Sequence, residues 1–63
     1  MFTLEIKTEN AAFKDPFTGE EDNIVEATEI RSILAKVSLA LENGDMSGIL
    51  MDHNGNRVGQ WRR

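Results

Sequence analysis

The sequence predicts an α+β domain of β-α-β-β order, with one helix packed on a three-stranded, mainly antiparallel sheet. Three observations carry this expectation. Phe2, Leu4 and Ile6 alternate with Thr3, Glu5 and Lys7, the period of two of a half-buried strand. Ala27, Ile30, Leu34, Val37 and Leu41 recur at spacings of three and four, the apolar stripe of a helix. Asn54-Gly55 stands between Ile49-Leu50-Met51 and Val58-Gly59-Gln60-Trp61, the strongest short-range signal for a β-hairpin. The 63 residues then form one small domain: a strand over about 2–8, a loop over 9–22, a helix over about 23–42 and a hairpin over about 47–61.

The loop loses all periodicity. Asn10, Asp15, Pro16 and Gly19 supply turn chemistry, and Phe13 and Phe17 are its only large apolar groups. A connection this long in a compact domain leaves a functional loop as one reading, beside the favoured alternative that both rings fold back over the end of a small core.

For the helix, Asn23 followed by Glu26 reads as a capping-box variant, and Glu20-Glu21-Asp22 precede the positive end of the helix dipole. Ile33 and Ala40 widen the core stripe, and Asn43-Gly44 supplies a left-handed stop. On the far side, Val25, Thr28, Ser32, Ala35 and Leu39 fall together. A solvated helix back is normally dense in Lys and Glu. This one is small and mildly apolar, so Val25, Ser32, Ala35 and Leu39 are the expected self-association surface, with the uncovered face of the sheet as the alternative.

In the hairpin, a type I′ turn needs positive φ at both Asn54 and Gly55. That register sets Asp52 opposite Arg57, Met51 opposite Val58 and Leu50 opposite Gly59, leaving room beside the strand for Trp61. It puts Ile49, Met51 and Val58 on one face and Leu50 and Trp61 on the other. Pairing of the first strand with the last makes every neighbour antiparallel. Pairing with the middle strand would instead give a parallel crossover.

Composition narrows the function classes. A chain of this length buries only about 60% of its unfolded surface, and zero cysteines exclude disulfides and thiolate zinc sites, so a homodimer is expected. No apolar run is long enough for a membrane span or a signal peptide, which with the missing cysteines points to the cytoplasm. Residues 1–29 carry eight acidic groups against two lysines; residues 30–63 carry five basic groups against three acidic. The overall −4 favours a basic partner over nucleic acid or an anionic membrane.

Catalytic chemistry finds little support. There is no Cys, His53 sits beside the hairpin turn, and Ser32, Ser38 and Ser47 lie in no nucleophile-elbow sequence. Asp52-His53-Asn54-Gly55-Asn56 starts like a calcium loop, but Arg57 takes the glycine slot and Arg63 the place of the bidentate Glu. No metal, no cofactor and no enzymatic activity are expected. Two surfaces remain. Glu20, Glu21, Glu26 and Glu29, with Phe13 and Phe17, form an acidic, aromatic candidate for partner binding. Arg57, Trp61, Arg62 and Arg63 form a basic rival for nucleic acid.

The segments Asn10-Ala-Ala-Phe13, the helix closing in Leu41-Glu-Asn-Gly44, and Ser47-Gly48-x-Leu50-x-Asp52-x-Asn54-Gly-Asn56-x-Val58-Gly59 together carry a resemblance. The chain resembles a group of very small proteins encoded by phages and prophages, and the likeness covers nearly its whole length. Lys14–Glu21 is longer here than the usual spacer of that group. The resemblance implies phage or prophage provenance more than a function. By analogy with small acidic phage accessory proteins lacking catalytic residues, the expectation is a protein that binds and modulates a host protein, inhibition of a bacterial defence system being one form of this. A structural subunit of a phage assembly is the remaining alternative.

Overall fold

The computed structural model describes residues 1–63. Strand β1 spans Thr3–Ile6, a 3₁₀ turn Ala11–Phe13, helix α1 Asn23–Glu42, β2 Ser47–Met51 and β3 Arg57–Arg62. The sheet has the order β1-β3-β2 with both pairings antiparallel, so β1 and β2 run parallel on either side of β3 and α1 crosses over the sheet between them. The result is the expected α+β arrangement, drawn out to 39 × 20 × 15 Å.

Helix α1 has the expected limits, but its cap is one residue earlier. Asp22 Oδ1 accepts the N–H groups of Ile24 and Val25 at 2.9 and 3.1 Å, leaving Asn23 as the first helical residue. At the other end Gly44, at φ 85°, donates to Leu41 O, and Asp45 N donates to Ala40 O, the paired bonds of a Schellman stop.

The buried face of α1 keeps five of the seven residues expected there, Ile30, Ile33, Val37, Ala40 and Leu41, and is shifted toward Glu29. Glu29, Ile33 and Val37 point inward, Ile30, Ala40 and Leu41 flank them, and Ala27 and Leu34 are exposed. The reason is polar as well as apolar: Glu29 is needed inside, as described below. Ile33 and Val37 pack with Ala12, Phe13, Leu50, Val58 and Trp61 into one core cluster.

The hairpin departs from the two-residue turn. Asp52 N donates to Asn56 O and Gly55 N to Asp52 O, while Gly55 alone has positive φ (82°). This is a three-residue loop of His53, Asn54 and Gly55, with the glycine in the left-handed position. Leu50 does face Gly59, but the register then shifts, so that Met51 faces Arg57. The shift turns Val58 into the core beside Leu50 and Trp61, and Asp52 pairs with neither Arg57 nor solvent.

Two glycines permit this packing. A Cβ at Gly48 would stand 2.6 Å from Trp61 Nε1, so it is Gly48, directly across from Trp61, that makes room for the indole. A Cβ at Gly59 would collide with the Glu5 carbonyl oxygen of β1. Position 59 therefore serves strand approach and not the tryptophan.

Candidate functional site

One end of the molecule is tied together by two carboxylates. Asp52 Oδ1 accepts the N–H groups of Asn54 (3.0 Å) and Asn56 (2.9 Å), and its Oδ2 accepts from Asn10 Nδ2 at 3.1 Å. Burial by itself raises the Asp52 pKa. The hydrogen bonds from Asn56, Asn10 and Asn54 outweigh it and hold the carboxyl below its ordinary value. Glu29 Oε1 accepts the His53 N–H and Oε2 the ring Nδ1–H, both at 2.8 Å. The start of the 3₁₀ turn, the helix and the hairpin loop thus meet through polar groups, and no buried side-chain nitrogen or oxygen lacks a partner. Asp52 spends Oδ1 on its own turn, so the Asp-x-Asn-x-Asn spacing that looks like the start of a calcium loop works here as a turn clamp.

The second feature lies between Lys14 and Glu21, which are bridged in antiparallel fashion. Inside that bridge Asp15 N donates to Glu20 O (2.9 Å), and Gly19 N donates to Asp15 O (2.8 Å). Asp15 Oδ1 accepts the N–H groups of Phe17 and Thr18, and Thr18 Oγ1 accepts from Glu20 N. Gly19 takes φ 71° to close the turn. A stretch without periodicity is therefore a hydrogen-bonded loop, and at its tip the Phe17 ring is 94% exposed.

The six residues expected at a partner surface divide. Phe17, Glu20 and Glu21 are exposed on the loop, and Glu26 is half-buried on the first turn of α1. Phe13 is 1% exposed and belongs to the core, because the 3₁₀ turn folds its ring between helix and sheet. Glu29, 8% exposed, is engaged by His53 and presents nothing to a partner. Of the expected self-association residues, Ser32, Ala35 and Leu39 are exposed, but Val25 is half-buried against its own chain.

The basic rival loses its aromatic. Trp61 is buried, with Phe2 against it at a ring-centroid distance of 6.0 Å, so the indole offers no stacking face to a base. Arg57 Nη2 donates to Gln60 Oε1 and Arg63 Nε to Asp45 O, which occupies two of the guanidiniums within the chain.

The outer face of the sheet is uncovered. Thr3, Glu5, Ser47, Ile49, Gln60 and Arg62 help line a shallow groove of about 570 Å³, with Ile49 and Met51 exposed along β2. Further exposed apolar groups outside the expected surfaces include Ile24 on the first turn of α1 and Met46 just before β2. The charge-free run Met46–Met51 was the legible signal for the second. No helix is long and apolar enough to cross a membrane.

No family model matches this chain, and neither a curated protein nor a solved structure shows significant similarity to it.

Proposed function

We propose that this chain is a non-enzymatic accessory protein of phage or prophage origin that binds and modulates a host protein in the host cytoplasm. The observation that carries the reading is Phe17, a large apolar ring held out to solvent by a loop whose backbone is bonded into one shape. Burying such a ring contributes roughly 1.5–3 kcal/mol. The bonds of the loop reduce the ordering cost that binding would otherwise incur. Glu20 and Glu21 are exposed on the same loop and Glu26 lies on the first turn of α1, so the matching partner surface is an apolar socket with a basic rim.

The phage origin is supported by the motif resemblance, and blocking a bacterial defence system is one form of modulation that fits this origin. Lys14–Glu21, the segment longer than in the group it resembles, is the one that displays Phe17. Loop specificity would then separate this member's partner from those of its relatives. The same reading makes the protein a homodimer.

The test is capture from bacterial host lysate on the immobilised chain, with Phe17→Ala and the triple variant Glu20→Gln, Glu21→Gln, Glu26→Gln in parallel. A host protein retained by the parent and lost with both variants supports the reading. Retention of the same protein by Phe17→Ala overturns it.

A further inference from the structure

We infer that the outer edge of β2 is a self-pairing edge, at which a second copy of this chain adds its own β2 antiparallel to form a continuous six-stranded sheet. The inference rests on the homodimer proposed above and specifies the surface it uses. The sheet has two edges, and they differ. β1 is four residues long and carries Glu5, with Lys7 just beyond it, the charges by which an edge strand resists addition of another chain. β2 reads Ser-Gly-Ile-Leu-Met, with no charge and no proline, and Met46 precedes it. Every strand bond that β2 makes is to β3, and no group of the chain covers its other side.

The exposed apolar groups follow the same edge. Met46, Ile49 and Met51 are 61%, 59% and 48% exposed. Ile49 is the central residue of β2, so a two-fold axis through it sets Ile49 against Ile49 of the second copy and Ser47 against Met51. Nothing charged is brought together. α1 packs against β2, so the two helices come alongside each other over the junction.

The area agrees. The chain exposes 4804 Å², whereas a compact monomer of 7.1 kDa exposes about 4,100 Å². The surplus of about 700 Å² is close to the roughly 800 Å² that each partner buries in a standard interface. Its radius of gyration, 12.3 Å, likewise exceeds the roughly 10.6 Å of a compact chain of this length.

The experiment is light scattering on the full chain across a concentration series, with Ile49→Lys and Leu39→Lys in parallel. The expected result is twice the 7.1 kDa chain mass for the parent and for Leu39→Lys, and once that mass for Ile49→Lys. Circular dichroism verifies that Ile49→Lys, a change at an outward position, remains folded. Because the chain has no cysteine, Ile49→Cys supplies a second reading that does not depend on breaking the dimer: mild oxidation should give one disulfide-linked dimer. A parent dimer that persists in Ile49→Lys and fails to cross-link through Ile49→Cys overturns the β2 edge while leaving the homodimer in place. A parent that is monomeric throughout overturns both, and would give that edge to a strand of a different protein. Neither outcome bears on Phe17.

Discussion

Glu29, in the second turn of α1, receives the backbone N–H and the ring Nδ1–H of His53 on its two carboxylate oxygens, each at 2.8 Å. One side chain therefore fixes both the position of the hairpin loop and the rotation of the helix. That rotation decides which apolar residues reach the core, Ile33 and Val37, and which do not, Leu34 and Ala27.

Glu29→Ala should destabilise the chain by about 1–3 kcal/mol, since it leaves the His53 N–H without its acceptor. His53→Ala removes only the ring bond and should cost less. Urea unfolding of the two variants measures the order. Equal losses would mean that the ring, and not the backbone N–H, is the group that matters.

The depressed Asp52 pKa links stability to acid. Its carboxylate is favoured in the folded state, so the contribution is present above the unfolded value of about 3.9 and is lost as pH falls through the lower folded value. Thermal melts of the parent should fall steeply below about pH 4. Asp52→Asn should melt lower at neutral pH and show a flatter acid limb. A limb as steep as the parent's would assign the acid sensitivity to other carboxylates.

The two loop phenylalanines should separate cleanly. Phe13→Ala empties a core position and should cost about 3–5 kcal/mol, which for so small a domain means loss of cooperative folding. Phe17→Ala should change stability by no more than about 0.5 kcal/mol. Denaturation midpoints of the two variants decide the matter, and a large loss with Phe17→Ala would place that ring in a packed site.

Gly48→Ala should force the indole of Trp61 out of its position, with a loss of about 1–3 kcal/mol from overpacking. Tryptophan emission should move to longer wavelength as the ring gains water. Unchanged emission and an unchanged melt would show that β2 yields at this point instead.

The acidic segment shows how far reading by residue type carries. Glu20, Glu21, Glu26 and Glu29 look alike in the sequence, although helical spacing sets Glu29 beside both polar (Glu26, Ser32) and apolar (Val25, Ile33) neighbours. What separates Glu29 from the rest is a hairpin loop 24 residues further along, which brings two donors to it. Phe13 and Phe17 are likewise equivalent by composition. Asn10, Ala12 and the 3₁₀ turn pull one inward, while Asp15 bends the backbone so that the other stands out.

The sequence by itself determined the strand, the helix and the hairpin and their approximate limits, but not the 3₁₀ turn Ala11–Phe13 or the shortening of the first strand to Thr3–Ile6. Period-two alternation, helical spacing, the Gly44 stop and the turn glycine are local, since each depends on backbone geometry within a few residues. The strand order was not among them, since pairing of β1 with either hairpin strand fits the same local pattern. Only the tertiary structure decided the hairpin register, the rotation of α1 and which carboxylates are buried. Those depend on groups far apart in the chain finding hydrogen-bond partners at one place, and the cost of leaving a buried donor or acceptor unpaired is a property of the assembled fold.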